Sequence, residues 1–164
     1  MIKLIVLDVD GCLSDGSIIY SANGDEIKNF NVKDGLAIAS WVKMGFDVAI
    51  ITGRNSKIVQ RRAEELKIQH LYQGVHNKDE VLQNIIATLN ITPQEVAAIG
   101  DDLNDYKMLA FVGRSFTPAN GVTEIQKLVQ TTLTRKGGEG AVREMIDILI
   151  EENNLFQKFM ALWK

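Results

Sequence analysis

The chain has 164 residues, 46% of them apolar and 24% charged, the composition of one globular domain with a single substantial core. Its formal net charge of −3 argues against non-specific nucleic-acid binding, which draws on an excess of Lys and Arg. The longest apolar runs are a strand's length, far short of the ~20 residues of a membrane helix, and the lone Cys12 cannot form an internal disulfide.

Residues 3–9 (Lys-Leu-Ile-Val-Leu-Asp-Val) form a near-continuous apolar run that ends in acid, as a strand buried on both faces of a parallel sheet reads. The N-terminus runs straight into this motif with no small-residue cleavage site, so no signal peptide is expected and the expected compartment is the cytoplasm. Residues 17–31 carry an Asn23-Gly24 turn between two β-prone runs, a strong hairpin signal. A lone hairpin is marginal in water. It cannot bury Ile18, Ile19, Tyr20, Ile27 and Phe30 within itself, so it is expected to pack on something else.

Leu36, Ala39 and Val42 predict a helix over 34–44, stopped by Gly45. A strand follows at 46–51, then a helix over 55–67 with Ile58, Val59, Ala63 and Leu66 on one face. Weaker strand signals lie at 69–73 and 111–116. Between them, Val81, Leu82, Ile85, Ile86 and Leu89 predict a helix over 79–90, followed by a strand at 95–99. The last dozen residues, from Asn153, read as an apolar helix that docks on its own domain or on a partner. The alternation predicts an α/β fold: a Rossmann-like parallel sheet flanked by helices, with a β-hairpin insertion after the first strand. Residues 1–164 are expected to form one domain, with a tail from about 136 to 164. Such sheets place their sites at the carboxyl ends of the strands.

Four motifs arrive at that edge. Asp8-Val9-Asp10-Gly11 ends the first strand, and Gly11 permits a sharp turn. Thr52-Gly53-Arg54 ends another and offers a hydroxyl and backbone N–H groups to an anion. Lys78 opens a helix. Gly100-Asp101-Asp102-Leu103-Asn104-Asp105 ends a further strand and brings three more acids. Five acids in one crevice repel one another unless a cation joins them, and a hard divalent ion such as magnesium suits oxygen ligands and phosphate. Capping at a helix N-terminus accounts for part of Asp102 or Asp105, but not for the pairing with the first motif.

In this order and spacing the four motifs resemble those of the haloacid dehalogenase-like superfamily of aspartate-nucleophile phosphatases. The resemblance implies that Asp8 is the nucleophile and Asp10 the general acid and then base. It implies that Thr52, Gly53 and Lys78 hold the phosphoryl group. Asp101 would bind magnesium with Asp8 and the Asp10 backbone carbonyl, and Asp102 and Asp105 would act through water or by orienting Lys78. Superfamily members usually carry a cap domain, but the interval from Asp10 to Thr52 has room only for a hairpin and one helix, so no cap domain is expected.

Over nearly its whole length the chain resembles 3-deoxy-D-manno-octulosonate 8-phosphate (KDO 8-phosphate) phosphatases. The matching stretches include Leu7–Gly11, Asn23-Gly24 with Phe30, Asp34-Gly35, Arg61-Arg62-Ala63, Gln73-Gly74-Val75, Gly100–Asp105 and Gly137–Glu144. The resemblance implies a cytoplasmic homotetramer whose hairpins associate, acting on a sugar-acid phosphate on the way to lipopolysaccharide. It makes the 137–140 glycine run a lid from a neighbouring subunit, and names Arg54, Arg62 and Arg143 as substrate-binding candidates. Arg61 and Arg62 face about 100° apart on a helix, so at most one points into a site. A sister family acts on the nine-carbon KDN 9-phosphate and often has Glu where Arg54 stands. An Arg fork suits a sugar acid's carboxylate, so Arg54 favours the eight-carbon substrate. A phosphorylated receiver domain, a silent phosphatase-like domain and a broad-specificity phosphatase are the competing readings.

Overall fold

A computed structural model describes all 164 residues. Its centre is a six-stranded, wholly parallel sheet. In chain order the strands are β1 (Leu4–Leu7), β4 (Asp47–Ile51), β5 (His70–Tyr72), β6 (Val96–Ile99), β7 (Arg114–Thr117) and β8 (Thr131–Thr132), and in space they run β5-β4-β1-β6-β7-β8. Strands β2 (Ile19–Tyr20) and β3 (Glu26–Ile27) form a separate antiparallel hairpin after β1.

The apolar strands are buried on both faces, and period-2 alternation divides them. Ile5, Leu7, Val48 and Ile50 face one cluster, shared with α1 (Val32–Lys43), α2 (Lys57–Glu65) and α6 (Ala141–Glu152). Leu4, Val6, Ala49 and Ile51 face the other, against α3 (Lys78–Leu89), α4 (Tyr106–Phe111) and α5 (Thr123–Leu128). Emptying a fully buried site such as Leu4 or Leu7 to Ala would cost roughly 2–5 kcal/mol. Local chemistry sets the helix ends. Asn31 and Ser56 accept backbone N–H groups at the starts of α1 and α2, and Asn90 in a left-handed conformation ends α3.

The expected strands and central helices are present, with differences at their edges. Helix α2 starts at Lys57 rather than 55 because Ser56 caps it. Helix α1 buries Ala37, Ile38 and Trp41, while Leu36 is exposed, so its core face is rotated from the expected one. Residues 106–111 are helical, which delays β7 to Arg114. The terminal segment forms only α7 (Phe156–Met160): Leu155 and Phe159 are buried, whereas Phe156, Leu162 and Trp163 remain exposed. Between Asp10 and Thr52 lie only the hairpin, α1 and the core strand β4, so there is no cap domain. No helix is long and apolar enough to cross a membrane.

Candidate active site

Register puts the functional motifs at one level. Leu7 is paired with Ile50 on one side and with Ile99 on the other. Asp8, Thr52 and Asp101 therefore emerge within a residue or so of each other at the carboxyl edge. Strand order reverses direction here, with β4 and β6 flanking β1, which is where open α/β sheets leave a crevice. The result is a cleft of about 280 Å³ lined by no hydrophobic residue, walled by Asp8, Asp10, Thr52, Arg54, Asp101 and Asp102 among others.

Asp8 is 4% exposed, and its N–H donates to the Ile99 carbonyl at 3.2 Å. The next residues make a tight turn, with Gly11 at φ +97°. A Cβ on Gly11 would collide with the Asp101 carboxylate, so only glycine lets the two loops meet. Thr52 spends its backbone on β5 and the loop beyond, donating to the Tyr72 carbonyl and accepting from Val75, and lines the cleft. Gly53 lines the cleft beside it.

Lys78, the first residue of α3, is buried beneath the cleft. Its Nζ donates to Asp8 Oδ1 at 2.7 Å and to Asp105 Oδ1 at 2.6 Å. Asp105 also accepts the backbone N–H groups of Asp101 and Asp102, so it fixes both the lysine and the Asp101 loop. Asp102 is exposed and caps the short turn that follows, accepting from Leu103 N–H at 2.7 Å.

The electrostatics leave room for a cation. Burial, then repulsion from Asp105, pushes Asp8 up to about 8, although Lys78 opposes this. Burial and the neighbouring Asp105 and Asp102 push Asp101 up to about 6. Burial works against the charge on Lys78, but Asp8 and Asp105 outweigh it and raise its pKa. One ammonium thus serves more carboxylates than it can neutralise. Asp8 and Asp101 offer hard oxygen ligands within 4.8 Å of each other, a donor set that suits magnesium. The Cys12 sulfur lies within the same distance, but burial and the surrounding acids push its thiol well up, so it packs in the core as a neutral group.

Two expected substrate contacts lie elsewhere. Arg62 packs over the Phe30 ring and lines a separate depression with Val32 and Ile58. Arg143 pairs with Asp147 at 2.9 Å beside another depression near Arg135, and its N–H donates to buried Asp34. Neither lines the acidic cleft of this chain. Arg54 does, and it is held there by Tyr20 Oη at 3.3 Å and Glu26 at 3.4 Å from the hairpin. The glycine run packs against its own chain rather than standing away from it. Gly138 N–H donates to the Cys12 carbonyl, and a Cβ on Gly137 would strike the Gly11 carbonyl, so this run braces the Asp8–Asp10 loop from behind.

Sequence reasoning missed Lys28. It lies one residue past β3, with its side chain 1% exposed, and ion-pairs with both Asp10 and Glu26. A lysine beside a hairpin strand ordinarily reads as solvated surface, and only the fold reveals its partners.

With this geometry in place, similarity to known proteins becomes decisive. Over 149 residues the chain is 43% identical to the KDO 8-phosphate phosphatase of Yersinia pestis, covering 91% of this chain and 80% of that one. It belongs to the KDO 8-phosphate phosphatase family. Residues 70–146 match the family model of haloacid dehalogenase-like hydrolases. The Moraxella catarrhalis phosphatase, solved with magnesium, phosphate and KDO, superposes with a TM-score of 0.95 at 41% identity, covering 99% of this chain and 94% of that one. A cobalt-bound family member from Haemophilus influenzae gives 0.88 at 37% identity, covering 92% and 88%.

Proposed function

We propose that this protein hydrolyses KDO 8-phosphate to KDO and inorganic phosphate, with magnesium, in the synthesis of lipopolysaccharide precursors. The observation that carries the reading is the buried Asp8 carboxylate, held by Lys78 at the edge of a polar cleft that also holds Asp10, Thr52 and Asp101. The family's activity and the magnesium, phosphate and KDO bound by the Moraxella catarrhalis enzyme agree with it.

In the first half-reaction an Asp8 oxygen attacks phosphorus while the bond to the sugar C8 oxygen breaks, and Asp10 gives that oxygen its proton. In the second, water attacks the aspartyl-phosphate, its proton passes to Asp10, and phosphate leaves as Asp8 is restored. Lys78, the Thr52 hydroxyl and the Gly53 backbone hold the phosphoryl oxygens in line for both displacements. Bound magnesium supplies charge neutralisation at the phosphoryl oxygens, held by Asp8, Asp101 and the Asp10 carbonyl. Asp105 orients Lys78, and Asp102 serves as a cap that also borders the cleft. Arg54 is placed to recognise the sugar acid's carboxylate. Arg62 and Arg143 can reach a substrate only across subunits, at a neighbouring protomer's site.

The 164 residues act as one domain in a cytoplasmic homotetramer. The exposed Ile18, Ile19, Tyr20 and Ile27 of the hairpin support self-association, since a monomer gains nothing by leaving them in water. Light scattering at micromolar protein tests the assembly, and a monomeric mass would refute it.

The deciding assay is magnesium-dependent phosphate release from KDO 8-phosphate beside KDN 9-phosphate and a generic sugar phosphate, with Asp8→Asn as control. A preference for KDO 8-phosphate that EDTA and Asp8→Asn both abolish is expected. Preference for the nine-carbon acid would keep the mechanism and overturn the role of Arg54. No hydrolysis of any of them would replace the enzyme with a silent or receiver-like domain.

A further inference from the structure

Within the exposed hairpin, Lys28 stands apart. Its neighbours Ile18, Ile19, Tyr20 and Ile27 face solvent, yet its side chain is 1% exposed. The ammonium lies 2.5 Å from Asp10 Oδ1 and 2.9 Å from Glu26 Oε1. Glu26 in turn contacts Arg54 at the rim of the cleft. A chain of charges therefore runs from Asp10, through the hairpin, to the Arg54 guanidinium.

Stability alone does not explain this arrangement. Buried ion pairs are poor stabilisers, because desolvation cancels much of their attraction, and apolar replacements of similar size often do as well. Geometry supplies a better reason. Asp10 sits in a turn between Asp8 and Gly11 with other carboxylates nearby, and nothing else in the loop fixes its side chain. Lys28 takes Oδ1, which leaves Oδ2 for substrate or water. An ammonium only donates, so the contact occupies Oδ1 as an acceptor and fixes the rotation of the carboxyl group.

We propose that Lys28 is a positioning residue that holds Asp10 for water activation and ties the hairpin to the catalytic loop. The inference rests on the proposed roles of Asp8 and Asp10. Its distinctive consequence falls on the second half-reaction, when water attacks the aspartyl-phosphate and its proton passes to Asp10. The first half-reaction can be made independent of Asp10 by an aryl phosphate, whose phenolate leaves without a proton.

The test is rapid-mixing and steady-state kinetics of the full-length protein with p-nitrophenyl phosphate and magnesium, comparing wild type, Lys28→Met and Lys28→Arg. Lys28→Met is expected to release about one nitrophenolate per site in a fast burst, then to turn over ~10²-fold more slowly than wild type. Covalent phosphoenzyme should accumulate after acid quench, and Lys28→Arg should recover most of the turnover. Turnover of Lys28→Met equal to wild type would overturn the inference. So would loss of burst and turnover together, which marks a merely structural role. A wild type that hydrolyses an oxygen-labelled chiral phosphate ester with inversion at phosphorus, the mark of a single displacement by water, would instead refute the nucleophilic role of Asp8, and the inference with it.

Discussion

Lys78 donates to Asp105 at 2.6 Å, and the Asp105 side chain has no solvent-exposed surface. This pair is the floor of the site. Asp105 is removed from the reacting centre, yet it holds the cation that touches Asp8 and the backbone of the Asp101 loop. Replacing it by Ala leaves a buried ammonium short of one carboxylate and frees two N–H groups. Breaking a buried pair in this way typically costs about 3–5 kcal/mol. Asp105→Ala is therefore expected to lower the denaturant midpoint sharply and to cut kcat. Asp105→Asn should recover much of the stability and less of the rate. Equal stability of Asp105→Ala and wild type in urea unfolding would contradict this picture.

Asp8 carries the opposite expectation. Its carboxylate is pushed up to about 8, chiefly by burial and then by the other acids, so without metal the ionised form is a burden on the fold. Asn keeps the shape and an oxygen for Lys78 while removing the charge. Asp8→Asn should abolish phosphate release, by at least ~10³-fold for loss of a nucleophile, while leaving the metal-free melting temperature at or above that of wild type. Functional groups held against their solvation preference commonly show this trade. A strongly destabilised Asp8→Asn would mean that the carboxylate is structural.

Gly11 offers a steric test of the metal site. It has φ +97°, and a Cβ there would overlap the Asp101 carboxylate. Gly11→Ala must move one of the two loops that together present the oxygen ligands. Calorimetric titration with magnesium should show affinity reduced by about tenfold or more, the range seen when the support of metal ligands is disturbed. Unchanged affinity would indicate that Asp101 does not share a metal with the Asp8 loop.

Much of this was legible in the sequence because the signals are local. A buried parallel strand is a short apolar run, and Asp8, Thr52 and Asp101 each sit where such a run stops. The long-range pairings were not legible. Lys28 meets Asp10 across 18 residues, and Arg143 meets Asp34 across 109. Only the fold decides which lysine is surface and which is buried between acids. Leu36 was misassigned for a related reason: its helix repeats every 3–4 residues on two adjacent faces, and packing against α6 selects the face with Ile38 and Trp41. The two-residue β8 is too short to leave a pattern.

Arg54 is the rim residue best placed to read the substrate, but Tyr20 and Glu26 already engage it. The Arg54 side chain is itself 44% exposed and meets Glu26 only at 3.4 Å, a contact that water weakens, so substrate carboxylate can compete for the guanidinium. Arg54→Glu should raise KM for KDO 8-phosphate by about tenfold or more, with a smaller effect on kcat, since the contact is remote from phosphorus. A fall in kcat at constant KM would place Arg54 in the chemistry instead.

Asp34 governs an acid-range stability effect away from the cleft. It is 2% exposed, one of its oxygens accepts from Arg143 N–H, and the other has no partner. Burial pushes its carboxyl up to about 6 against an ordinary 3.8, although Arg143 and Arg62 oppose this. Between those two values the folded protein holds a proton that the unfolded chain has released. Stability from this group is therefore complete below about pH 4 and is lost as pH rises through about 6, by up to about 3 kcal/mol. Asp34→Asn removes the titration but keeps an acceptor for Arg143. Urea unfolding of wild type and Asp34→Asn from pH 4 to 7 should give curves that differ in slope only across that window, with the variant gaining relative to wild type as pH rises. Parallel curves would mean that Asp34 titrates near its ordinary value, and that the Arg62 and Arg143 charges fully offset its burial.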